Sequence, residues 1–109
     1  MVEAGNEVAI DALLSLVKDE DWWVREAAAY ALEPAVEAGN VVAIDAVSSL
    51  VKDEDWHVRR AVVYALEPAF EAKNVVAIDA VLSLVKDEYW WVREAAVMPL
   101  SQLLKQETR

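Results

Sequence analysis

Displaced by 34 residues, this sequence falls back on itself. Glu3 lands on Glu37 and then on Glu71, and residues 3–36 match residues 37–70 at 26 of 34 positions. The third copy matches the second at 19 of its first 24 positions before diverging into AAVMPLSQLLKQETR. Units this short cannot bury an apolar face alone, so each must stack on its neighbours and share one continuous core. The 109 residues therefore read as one repeat domain, 1–109, with repeats at about 3–36, 37–70 and 71–109.

Within one unit, Asn6 is placed to cap a first helix running to about Lys18, with Ile10, Leu13, Leu14 and Val17 at helical spacing. The block Asp19, Glu20, Asp21 makes the turn, and Asp21 is expected to accept from the free amides of a second helix starting near Trp22. On that helix Val24, Ala28, Ala31, Leu32 and Ala35 form the core stripe. Pro34 and Pro68 should kink or restart it, whereas Pro99 stands three residues earlier in its repeat, at the place of Ala65, where the last helix should bend instead. Six main helices are predicted, at roughly 6–19, 22–38, 40–53, 56–72, 74–87 and 90–106.

Residues 19–32, DEDWWVREAAAYAL, resemble the second-helix signature of short HEAT-like repeats, and the signature recurs at Val58-Arg59 and Val92-Arg93. This is the class found in phycobilin lyases, in archaeal repeat proteins and in artificial libraries built from such repeats. The resemblance implies an all-α fold, an α-solenoid of three stacked helix-turn-helix units in a right-handed superhelix. The repeats are longer than usual for that class, with the extra residues around Glu33 to Gly39. It also implies that Arg25, Arg59 and Arg93 pair with acidic residues of the inter-helix turns, Asp19, Asp53 and Asp87, in their own or an adjacent repeat.

Function should lie where the copies differ. On the second helix those positions are Trp23, His57 and Trp91, then Glu26, Arg60 and Glu94, then Tyr30, Tyr64 and Met98. Trp23 and Tyr30 are seven residues apart and so share a face, and the resemblance implies that this face is the concave, partner-binding one. Rings beside the carboxylates of Glu26, Glu33, Glu67 and Glu94, interrupted by Arg60, suit a protein or peptide of basic or amphipathic character. For Trp22, Trp56 and Trp90, present in every copy, packing between repeats is the preferred reading; for Trp23 and Trp91 both readings stand.

Other chemistries find little support. Ten basic against twenty acidic residues, a formal charge of −10, oppose binding to nucleic acid or to an anionic membrane surface. No cysteine is present and His57 is the only histidine, so no usual zinc set can form; no metal and no cofactor is expected, and a cytoplasmic setting fits. The serines have no histidine near in sequence and no nucleophile elbow, and exposed helical carboxylates are solvated far more often than catalytic, so no enzyme is read here. The expected role is a protein-interaction or scaffolding module. Two alternatives stand beside it: a tetrapyrrole (bilin) lyase or chaperone-like protein, which the resemblance permits, and a self-assembling repeat unit, natural or constructed.

The ends of the array differ. Ser101, Gln102, Lys105, Gln106, Glu107, Thr108 and Arg109 look like a polar cap, whereas the first helix carries an internal-type apolar arc with no preceding repeat. Val8, Leu13 and Leu16 are therefore candidates for self-association, most simply as a two-fold homodimer.

Overall fold

The structure is a computed structural model describing residues 4–107, with side chains described for 7–106; Glu3, Thr108 and Arg109 lie outside it. In chain order the helices are α1 (Ala4–Leu16), α2 (Trp22–Ala31), α3 (Glu33–Glu37), α4 (Val41–Ser48), α5 (Trp56–Leu66), α6 (Val75–Ser83) and α7 (Trp90–Glu107). Short 3-10 turns occupy Ser49–Lys52, Glu67–Ala69 and Leu84–Lys86, and no strand occurs among the described residues. In one layer α1 packs on α4 and α4 on α6; in the other α2 packs on α5 and α5 on α7. The smallest Cα extent, 15 Å, is that of two helices side by side. The chain is an all-α helical repeat protein.

The helix starts follow the sequence in two repeats and depart from it in one. Asn40 and Asn74 accept from the amides of Ala43 and Ala77 at 2.9 and 3.0 Å, capping α4 and α6. In the first repeat α1 begins already at Ala4, so Asn6 lies inside the helix and not at its start. At the second helices, Asp55 accepts from the amide of His57 at 2.8 Å, but Asp21 makes no side-chain cap. Three other aspartates organise every turn instead. Asp19, Asp53 and Asp87 accept from the amides of Asp21, Asp55 and Tyr89 at 2.9, 2.9 and 3.0 Å.

The second helices, expected at 22–38 and 56–72 with a kink or restart at Pro34 and Pro68, are each interrupted there. In the first repeat the chain breaks at Leu32 and restarts as α3, with Pro34 in the first turn, where its missing amide costs nothing. The same Glu-Pro-Ala sequence in the second repeat yields only the 3-10 turn at Glu67–Ala69. In the third, α7 runs on through Pro99 for 18 residues. The first helices of repeats two and three end early too, their last turns tightening to 3-10 at 49–52 and 84–86. After the first break Gly39 takes a left-handed φ of 83°, whereas Lys73 holds the equivalent place at φ 57°, a region that costs a side chain.

The core is deepest in the middle repeat. Val58, Ala61, Val62, Val63, Ala65 and Leu66 of α5 are wholly buried between α2 and α7. The predicted stripe on α2 is only partly covered: Ala28 and Leu32 are buried, Val24 and Ala35 half-buried, and Ala31 exposed. Their middle-repeat counterparts Val58, Val62, Ala65, Leu66 and Ala69 are all buried, so neighbours, not residue type, make the difference.

Candidate functional site

The constant arginines form a ladder between repeats. Arg25 donates from Nε and Nη2 to the two carboxylate oxygens of Asp53 at 2.7 and 3.0 Å, and from Nη1 to the carbonyl of Asp19 at 2.7 Å. Arg59 repeats the pattern on Asp87 and on the carbonyl of Asp53. Each two-pronged bond thus reaches forward to the next repeat, while the third ties the arginine to its own turn. The bond to the carboxylate, opposed by desolvation, raises both guanidinium pKa values above their ordinary value. Burial pushes the Asp87 carboxyl up, but hydrogen bonds from Arg59 and the Tyr89 amide, with the charges of Arg59 and Arg93, outweigh it and hold Asp87 below its ordinary range. Arg93 keeps the bond within its repeat, to the carbonyl of Asp87 at 2.6 Å, and makes no forward pair among the described residues.

Beside the ladder runs a row of rings. His57 lies between Trp22 and Trp56, with ring centroids 4.3 and 3.8 Å away and near-parallel planes. Trp56 stacks on Trp91 at 5.0 Å, Trp91 meets Trp90 at 4.6 Å, and Trp23 stands edge-on to Trp22 at 6.0 Å. His57 Nδ1 is 2.9 Å from Asp55 Oδ1, which orients the ring. Sequence reading separated the constant tryptophans from the variable positions by about 100° on the helical wheel. The structure joins them: Trp22 reaches across the repeat boundary to His57, and Trp56 to Trp91. Only the one-repeat offset between stacked helices could have signalled this.

The variable positions share one accessible face. Trp23, Tyr30, Tyr64, Trp91, Glu94 and Met98 are exposed, and Glu26, His57 and Arg60 are half-buried. Arg60 lies over the Trp56 ring, 5.1 Å from its centroid, with its Nε buried and unpaired. Burial, then the nearby Glu26 carboxylate, raises the Tyr30 pKa against the lowering effect of Arg60. Further down the same helices an open cleft of about 600 Å³ is lined by Glu33, Glu37, Glu67 and Glu71, with Pro68, Phe70, Pro99 and Leu103 among its apolar walls. Glu33 and Glu67 belong to the expected acidic strip. Glu37 and Glu71 were missed, because breaks after Ala31 and Leu66 redirect the chain there.

Of the residues singled out for self-association, Val8 and Leu16 are exposed, while Leu13 is half-buried against the core cluster. A second cleft, of about 310 Å³, opens on this outer side between Ile10, Leu13, Leu32 and Pro34. At the other end the expected polar cap is incomplete, since Val97, Met98 and Leu104 are exposed among its polar residues.

Among the described residues no group of histidine, cysteine or carboxylate side chains is arranged to hold a metal ion, and no helix is long and apolar enough to cross a membrane. No match is found among curated proteins. The family model for HEAT repeats matches residues 1–67, more than half of the chain. HEAT repeats generally mediate protein–protein interaction or scaffolding, and proteins built from them are typically not enzymes. With its stacked helix pairs, its repeated Val-Arg and its inter-repeat arginine ladder, the chain belongs to the HEAT repeat family.

Proposed function

We propose that this chain is a cytoplasmic protein-interaction module that binds a basic, amphipathic segment of another protein along the face formed by α2, α5 and α7. The observation that supports the reading is the closeness of exposed rings to an acidic cleft. Trp23, Tyr30, Tyr64 and Trp91 are exposed, and Tyr30 feels the charge of Glu33, one of four glutamates in a cleft with no lysine or arginine in its lining. Rings supply apolar area and cation–π attraction, and carboxylates supply charge complementarity that steers and orients a cationic guest. Both clefts are open to solvent, which suits a peptide segment laid along the surface better than an enclosed tetrapyrrole.

The test is a titration of a labelled helical peptide carrying lysines along one face and leucines along the other. Binding should weaken as salt is raised and fall by about tenfold in Glu33→Gln with Glu67→Gln, as loss of complementary charge requires. Equal binding of a charge-reversed peptide would defeat the proposal. A bilin added in parallel should leave its visible spectrum unshifted.

A further inference from the structure

The two ends of the array carry matching halves of the contact that joins its repeats. Inside, each junction combines a forward Arg–Asp pair with apolar side chains of one repeat covered by the next. At the last repeat Arg93 is already tied to its own turn at 2.6 Å, as Arg25 and Arg59 are, but its Nε and Nη2 have no carboxylate among the described residues. At the first repeat the Asp19 carboxylate is held by the Asp21 amide at 2.9 Å, as those of Asp53 and Asp87 are held by theirs, yet no arginine reaches that carboxylate among the described residues.

The apolar positions show the same division. Val97 is 49% exposed where Val63 is 0%, and Leu104, on the straight continuation of α7, is 67% exposed where Phe70 is 5%. On the opposite end Leu16 is 38% exposed where Leu50 is 6%, beside the apolar cleft between Ile10, Leu13, Leu32 and Pro34. One end thus offers a guanidinium and apolar side chains, and the other offers a carboxylate and an apolar cleft.

From this complementarity we propose that the chain docks head-to-tail on a second copy of itself, Arg93 of one molecule pairing with Asp19 of the next and Val97 and Leu104 covering the cleft beside Leu16. A two-fold contact through the first repeat alone would leave Arg93 unused and bring no guanidinium of the last repeat to Asp19. A head-to-tail contact leaves an unfilled end on each side of a pair, so association runs on past two copies and does not stop at a single dimer. None of these docking residues lines the acidic cleft, so either proposal can fail without the other.

The experiment is light scattering over a concentration range reaching high micromolar, at low salt. The mass should climb past two copies of the 12.1 kDa chain without settling. Asp19→Arg alone and Arg93→Asp alone should each remain monomeric, and mixing the two should restore association, because one supplies an intact Arg93 and the other an intact Asp19. Val97→Glu, at an exposed position that leaves the monomer's packing untouched, should lower the association constant by about tenfold or more, since it buries an unpaired charge. It also carries the test if the charge variants unfold. A mass fixed at one chain would overturn the proposal. So would a closed dimer indifferent to Val97→Glu, or a mixture of folded variants that does not associate.

Discussion

Val63 in the middle repeat and Val97 in the last occupy the same place in the 34-residue unit, yet the first is sealed from water and the second stands half bare. The same holds for Ala61 and Ala27, one buried and the other exposed at the opposite end. In a stacked array burial is conferred by neighbours, and a middle repeat has two of them. Identical side chains should therefore differ in what they contribute, and substitution can measure the gap.

The largest gap is expected for apolar truncation. Leu66→Ala, wholly buried in α5, should destabilise by about 2–5 kcal/mol, whereas Leu104→Ala should change little, as exposed substitutions do. Chemical denaturation of the two variants checks this, and equal losses would erase the distinction between middle and end. Next comes the ladder. Arg59→Met strips a mostly buried Asp87 of its two-pronged partner and should cost about 1.5–3 kcal/mol, while Arg93→Met, losing one bond to a carbonyl, should cost about 1 kcal/mol.

Acid should sharpen the same contrast. Because Asp87 is held below its ordinary pKa in the folded protein, its contribution is complete above the unfolded value, near 4, and is lost as pH falls through the folded value. Thermal melts between neutral pH and strongly acidic pH should show that loss in the parent and a smaller one in Arg59→Met.

The aromatic face comes next in size. Trp91→Ala removes stacking on Trp56 and should cost about 1 kcal/mol, whereas Trp23→Ala, an exposed ring, should stay within about 0.5 kcal/mol. Both should weaken peptide binding. Smallest of all, Lys73→Gly should stabilise by roughly 0.5–1 kcal/mol by relieving the left-handed backbone that Gly39 already tolerates in the first repeat. A loss of stability there would mean that the lysine side chain outweighs its backbone.

Much of the architecture could be read before any coordinates. The period, the helix pairs and the Asn caps at Asn40 and Asn74 rest on local spacing or on exact repetition, which survive in a linear string, and the Arg–Asp partnership is implied by the resemblance to short HEAT-like repeats. The misreadings have a common physical source. A Glu-Pro-Ala tripeptide produced a short helix after Leu32 and a 3-10 turn after Leu66, so the tripeptide alone does not decide the geometry. Pro99, three residues earlier in its repeat, sits within an unbroken helix. The candidate site was legible as a set of variable positions, but the ring row and Glu37 and Glu71 depend on contacts across a repeat boundary and on the chain's path after each break. Wheel geometry on one helix contains neither.

The arginine ladder bears also on the order in which the chain acquires its structure. Each rung closes a loop of 28 residues, and none of the principal helix pairings joins the first repeat to the third. The entropy of bringing partners together is thus that of a short loop, incurred once per junction, and no step waits for the two chain ends to meet. Folding is expected to start at the centre, where α5 finds neighbours on both sides, and to spread outward. Backbone amides of residues 58–66 should accordingly exchange their hydrogens last, with those of α1 and the far end of α7 opening first.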